Sequence, residues 1–189
     1  NILEKFKSIE ICVFCTGIHD PKSEKRFNLE KIRKIMEVNY FGVMNSINSI
    51  YEYYNTKKCG QISIVSSVAG YRGLPASIGY GASKAGLMHL AEGMYADLRK
   101  TNIKVQIINP GFIETRLTKK NKFKMPFIMS ADRASKIFFQ FMSTTKFQSA
   151  VYNTDFLPPV KLEDAIESTL NYEFIEEWKC IVCNRNFDT

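Results

Sequence analysis

A serine, a tyrosine and a lysine stand at distances that suit proton transfer. Tyr80 follows Ser67 by 13 positions, and Lys84 follows Tyr80 by four. Four residues make about one helical turn, so the tyrosine and the lysine share a face if this stretch is helical. A free phenol titrates near ~10. A neighbouring ammonium favours the phenolate and lowers that value. Such a tyrosine can give or take a proton close to neutral pH. Ser67 can then donate a hydrogen bond to an oxygen that gains charge.

The flanking sequence supplies the elements that would hold these groups. Residues 61–65 read as a strand that delivers Ser66 and Ser67 at its carboxyl end, where ligands bind in open α/β sheets. The 13-residue distance makes Ser67 the catalytic candidate and Ser66 its structural twin. Residues 70–79 form a loop that would wall one side of a pocket. Residues 80–99 follow as a helix rich in small residues: Ala82, Ala85, Gly86, Ala91, Gly93 and Ala96. Those residues suit close approach of a second helix and equally suit packing on a sheet.

Upstream, residues 1–8 read as the end of a helix. Residues 9–15 are nearly all apolar, the pattern of a parallel strand buried on both faces, and Thr16-Gly17-Ile18 is a turn. Residues 19–27 are polar and basic and read as a loop. Residues 28–54 have apolar positions spaced by three and four, a helix with Asn28 as its N-cap. Asn39 and Gly42 sit inside it, and both are poor choices for a helix interior. Residues 57–60 are a turn. Downstream, residues 103–108 read as a buried strand that ends in the sharp turn Asn109-Pro110-Gly111. Residues 116–129 form a basic loop. Ser130 then caps a helix whose apolar face is Ala134, Ile137, Phe138 and Phe141.

Composition narrows the class. The chain has 189 residues, 45% hydrophobic and 24% charged, with a net charge of +7. That is enough for one domain with a substantial core. Part of the positive charge lies at Lys119, Lys120, Lys122 and Lys124, a solvated loop or a surface that attracts anions. No arginine-rich stripe or interleaved aromatic pattern points to nucleic acid. No apolar run is long enough to span a membrane, and no secretory signal is present. The five cysteines form no dense framework, which fits a reducing cytoplasm. Cys180 and Cys183 make half of a zinc-ligand pair, but six residues remain after them. No metal site is expected.

Ser67, the segment from Tyr80 to Lys84 and the flanking SVAGYRGLP together resemble the active site of the short-chain dehydrogenase/reductase family. The resemblance covers roughly residues 9–148. It implies a Rossmann-like, doubly wound parallel α/β sheet, NAD or NADP as cofactor, and a small carbonyl or alcohol substrate. It gives Tyr80 the proton-exchanging role, Lys84 the lowering of its pKa and the grip on the cofactor's ribose, and Ser67 the substrate oxygen. Asn39, 41 residues before Tyr80, would hold a water of the proton relay. Gly17 would lie under the cofactor, with Cys15 where the family has asparagine. Pro110, Gly111, Ile113 and Thr115 would pass the nicotinamide, and residues 116–129 would form a mobile lid. A homodimer or homotetramer through two long helices is also implied.

The resemblance stops at both edges. The family's first β-α-β units and their glycine-rich phosphate turn have no counterpart here, so an N-terminally incomplete domain is expected over residues 1–148. Residues 149–189 read as an atypical tail, with Leu157-Pro158-Pro159 as a breaker and a short helix over 162–172. The tail faintly resembles the last helix of nucleotide-sugar epimerases and dehydratases of the extended branch. Three functions follow: an alcohol–carbonyl oxidoreductase, an epimerase or dehydratase, and a non-catalytic remnant without cofactor.

Overall fold

In the computed structural model, residues 2–121, 125 and 127–151 are described. Helix α1 (Ile2–Phe6) leads into strand β1 (Ile11–Phe14), and the short helix α2 (Pro21–Lys25) follows. Then come α3 (Leu29–Met36), a π-helical turn (Glu37–Phe41) and α4 (Gly42–Lys57) without a break. Strand β2 (Cys59–Val65), helix α5 (Ile78–Leu98), strand β3 (Asn102–Pro110), helix α6 (Ala131–Met142) and strand β4 (Gln148–Val151) complete the order. All four strands are parallel and lie in the order β1-β2-β3-β4. Strand β4 crosses the expected boundary at residue 148 and belongs to the sheet.

Alternation along the strands gives each face its own core. Ile62, Ile64, Ile103, Val105 and Ile107 meet Val43, Ile47 and Ile50 of α4 and Leu87 and Ala91 of α5. Val65 and Ile108 meet Ala134 and Phe141 of α6 on the other side. Helices thus cover both faces, the doubly wound Rossmann-like arrangement. The α6 face also buries polar groups. Gln61 donates to Gln106 at 2.8 Å, and Gln106 donates to the carbonyl oxygens of Phe141, Thr144 and Lys146. These bonds tie β3 to the end of α6 and the turn that follows it.

Two expectations need correction. Strand β1 is not buried on both faces: Ile11 and Val13 are 49% and 46% exposed. Its apolar composition is that of a central strand, but among the described residues it pairs only with β2 and stands at one end of the strand order. Residues 19–27 are not simply a loop, because they contain α2. The signals for it are local: Asp20 accepts from the Ser23 N–H as N-cap, and Pro21 occupies the first helical position.

Asn28 caps α3 as expected, accepting from the Lys31 N–H at 3.0 Å, and Ser130 caps α6. At the far end of the long helix, Tyr54 is fully buried and its ring lies against Gly60. A Cβ at Gly60 would fall 2.3 Å from the Tyr54 ring, and a buried ring has nowhere to go. Gly60→Ala is therefore expected to cost about 1–3 kcal/mol. Urea denaturation would show a lower midpoint at unchanged slope; an unchanged midpoint would mean that the ring gives way.

Candidate active site

The site gathers at the carboxyl ends of β1, β2 and β3. Strand β2 ends at Val65 and hands over Ser66 and Ser67. Both serines are buried, and their roles differ. Ser66 donates to the Lys84 carbonyl oxygen at 2.7 Å, tying the loop to the first turns of α5. Ser67 accepts from the Ala69 N–H at 3.2 Å and caps a single 3₁₀ turn, Val68–Gly70. Its hydroxyl donates to the Pro110 carbonyl oxygen at 3.4 Å and lies near enough to the Tyr80 phenol to lower its pKa. Gly70 lets this loop approach α5, since a Cβ there would fall 2.7 Å from the Met88 sulfur and 3.0 Å from the Ala85 nitrogen.

Tyr80 and Lys84 share one face of α5, as their spacing predicts. The Lys84 Nζ lies 5.8 Å from the Tyr80 ring centroid. It is buried and donates to the Val65 carbonyl oxygen at 3.0 Å. Burial pushes the Lys84 ammonium down to about 8. The expected lowering of the phenol is not what the geometry gives. Burial pushes the Tyr80 phenol up, the Ser67 hydroxyl works against that, and the negative charges of Cys15 and Glu24 add to the rise. The ammonium's bond is to the Val65 carbonyl, and desolvation is the largest influence on the phenol.

Asn39 is fully buried inside the π-helical turn. Its Oδ1 accepts from the Ile18 N–H at 2.7 Å, and its Nδ2 donates to the Ile18 carbonyl at 3.0 Å and the Ser83 hydroxyl at 3.1 Å. One side chain thus clamps the turn after β1 to α5. A π-turn is an insertion that recurs at functional positions. Gly17, in the clamped turn, is exposed. A Cβ there would point at the Lys84 Nζ, 3.5 Å away, and the Asn39 Oδ1, 3.8 Å away.

Pro110 ends β3, and the Gly111 N–H donates to the Val151 carbonyl at 2.8 Å. Ile113 pairs with Met129 in an isolated bridge. Main-chain bonds from Glu114 to Met129 and from Met129 to Phe112 flank it. The far end of the expected lid is therefore pinned, with Met129 in the core; residues 122–124 and 126 lie outside the described residues. Thr115 is exposed and exchanges hydrogen bonds with Thr118. Asn109 donates to the Tyr71 hydroxyl at 2.8 Å, holding the loop after Gly70 against the end of β3. Among the described residues no cluster of His, Cys, Asp and Glu could hold a metal. Cys180, Cys183 and the expected 162–172 helix lie outside the described residues.

Two further residues touch Tyr80 and were not among the candidates. Glu24 is fully buried and accepts the N–H groups of Gly79 and Tyr80 at 2.6 and 3.1 Å. His19 stacks on the Tyr80 ring, with centroids 4.5 Å apart. Nothing in local spacing points to either contact, since Glu24 and Tyr80 are 56 positions apart.

A family model described as short chain dehydrogenase matches residues 1–125. The chain belongs to the short-chain dehydrogenase family. Among curated relatives of this family, an uncharacterized oxidoreductase from Myxococcus xanthus is 34% identical over 129 residues, 68% of this chain and 51% of the relative. The 3-oxoacyl-[acyl-carrier-protein] reductase FabG of Thermotoga maritima is 34% identical over 120 residues, 64% of this chain and 49% of the relative. This short-chain dehydrogenase chain spans about half the length of the curated relatives it matches. A short chain dehydrogenase from Burkholderia cenocepacia, solved in complex with NADP, shares the fold with a TM-score of 0.72 at 20% identity. That match covers 89% of this chain and 69% of the other. ElxO with NADP bound matches at a TM-score of 0.69 and 19% identity, covering 81% and 69%. Among the described residues, no helix is long and apolar enough to cross a membrane.

Proposed function

We propose that the protein interconverts an alcohol and a carbonyl compound with a nicotinamide cofactor, NAD or NADP. The observation that carries this reading is the convergence of Ser67, Tyr80 and Lys84 at the carboxyl ends of the strands, in a chain of the short-chain dehydrogenase family. The names of its relatives, an oxidoreductase and a 3-oxoacyl reductase, favour it over a nucleotide-sugar epimerase or dehydratase.

The residues present fit the nicotinamide and ribose end of such a cofactor. Gly17 is exposed and borders Lys84 and Asn39, with a Cβ direction that points at both, and the buried Lys84 ammonium offers donors to ribose hydroxyls. Pro110, Gly111, Ile113 and Thr115 would line the nicotinamide side. The described residues include no glycine-rich phosphate turn. When bound, the nicotinamide supplies or accepts the hydride. Ser67 hydrogen-bonds the substrate oxygen and keeps it within reach of Tyr80. Tyr80 donates the proton to that oxygen in reduction and withdraws it in oxidation. The raised phenol keeps Tyr80 protonated at neutral pH, the form that reduction starts from. Lys84 orients the ribose and holds positive charge beside the phenol as it loses its proton. Asn39 has spent both amide hydrogens on Ile18 and Ser83. It thus fixes the floor of the site, and its acceptor oxygen serves the relay water. Helices α4 and α5, which expose Tyr51 and Tyr95, would pair copies into a homodimer or homotetramer.

The test is a titration and an assay on the complete protein. NADH or NADPH should bind, and its absorbance should fall on addition of small ketones, aldehydes or 3-oxoacyl thioesters. Binding without turnover of any carbonyl, but with conversion of a nucleotide sugar, would replace this reading by the epimerase one. No binding of either nucleotide would leave a non-catalytic remnant.

A further inference from the structure

We propose that His19 and Glu24 are positioning residues for Tyr80, fixing its backbone and its ring in the orientation that proton transfer needs. The inference rests on the proton-donor reading of Tyr80 given above.

Helix α5 lacks an ordinary cap. Ser77 stands at the N-cap position and makes no side-chain capping bond. The capping acceptor comes instead from α2, through the Glu24 Oε2 on the N–H groups of Gly79 and Tyr80. A carboxylate at a helix start is favoured both by the free N–H groups and by the helix dipole. This one is also fully buried, which is costly unless its charge is used. Its second oxygen, Oε1, has no hydrogen bond. The nearest cationic candidate, the His19 Nε2, stands 3.3 Å away.

His19 completes the arrangement. Its Nε2 donates to the Ala76 carbonyl oxygen at 3.1 Å. Ala76 has a φ of +55°, in the left-handed region that an alanine adopts only at a cost. The imidazole thus secures the strained residue just before α5. Its ring meanwhile lies on the phenol ring, with planes 30° apart. Tyr80 is therefore held twice, at its amide by Glu24 and at its ring by His19. Both holders come from the segment between β1 and α3, the one that also carries Gly17. The charged and titratable groups facing the phenol are Lys84 on its own helix, Cys15 and His19 from the turn after β1, and Glu24 from α2.

Glu24→Gln, Glu24→Ala, His19→Ala, His19→Gln and His19→Phe in the complete protein test the idea, with Tyr80→Phe as control. Misplacing the proton donor should lower kcat on the order of 10- to 100-fold in Glu24→Ala, with KM for the carbonyl little changed. His19→Gln retains the donor to Ala76 and His19→Phe retains the stacked ring, so each should recover part of kcat relative to His19→Ala. Glu24→Gln keeps the shape but removes the charge that disfavours the phenolate. The limb of the pH–rate profile that reports Tyr80 should therefore move to lower pH, a change that a purely structural carboxylate would not cause. If Glu24→Ala does not fold, Glu24→Gln and the histidine variants still decide. An active wild type, a dead Tyr80→Phe, and histidine and glutamine variants with unchanged kcat and pH profile would overturn the positioning role alone. An inactive wild type, or an active Tyr80→Phe, would overturn the proton-donor reading instead.

Discussion

Tyr80→Phe should lower kcat by on the order of 10²–10⁴-fold, the usual worth of a positioned general acid or base, and leave nucleotide binding close to that of the wild type. The phenylalanine keeps the ring that His19 stacks upon and the amide that Glu24 caps. The folded structure should therefore be preserved, and only the exchangeable proton is lost. Stopped-flow rates with saturating cofactor, beside a cofactor titration, separate the two effects. A variant with more than a tenth of wild-type kcat would mean that another group carries the proton. Because burial raises the phenol, loss of activity on the alkaline side should occur above the pH at which a free tyrosine ionises.

Lys84→Met should abolish most turnover and, in the same protein, remove a pH dependence of stability. The Lys84 ammonium is buried and pushed down to about 8 from an ordinary 10.5. Between those two values the unfolded chain keeps the proton and the folded chain does not. Stability therefore rises with pH across this window, by about 3 kcal/mol in all. Below about pH 8 the folded protein bears the full cost of a buried charge. Tyr80 acts in the other direction above pH 10, because the folded phenol keeps a proton that the unfolded one releases. Lys84→Met lacks the rise but keeps the tyrosine effect. Its melting temperature should exceed that of the wild type at pH 7, and the gap should narrow towards pH 10. A gap that stays constant with pH would show that the ammonium is not desolvated. The cost in stability is one that a functional lysine bears and a structural one would not.

Much of this site is written in short-range spacing. Ser67 at a strand end, Tyr80 and Lys84 one turn apart, and Pro110-Gly111 after the next strand each depend on a single element and its neighbour. The fold positions them as the periodicity says. Asn39 stands out for a different reason, as a poor residue for a helix interior, but the π-turn Glu37–Phe41 that holds it is not legible in the pattern of one continuous helix over 28–54. What cannot be read locally is whatever needs two distant segments to meet. The burial that sets the charge state of Lys84 comes from the β2 loop folding over α5. The cap of α5 comes from Glu24, far back in the chain. The neighbourhood of β1 is likewise a property of the sheet: Ile11 and Val13 have the composition of a buried strand and the exposure of an edge. Helix α2 was within reach, since Asp20 and Pro21 carry its start signals, but the basic residues around them pointed to a loop.

The central claim is that this site moves hydride and proton between an alcohol and a carbonyl carbon. It is tested most directly by a deuterium-transfer experiment on the complete protein, using NADH and NADPH labelled at the transferable position and a panel of carbonyl compounds. The account predicts label at the carbinol carbon of the product with the wild type, and none with Tyr80→Phe over the same time. Tight nucleotide binding with no label in any product, or equal labelling by both proteins, would contradict it.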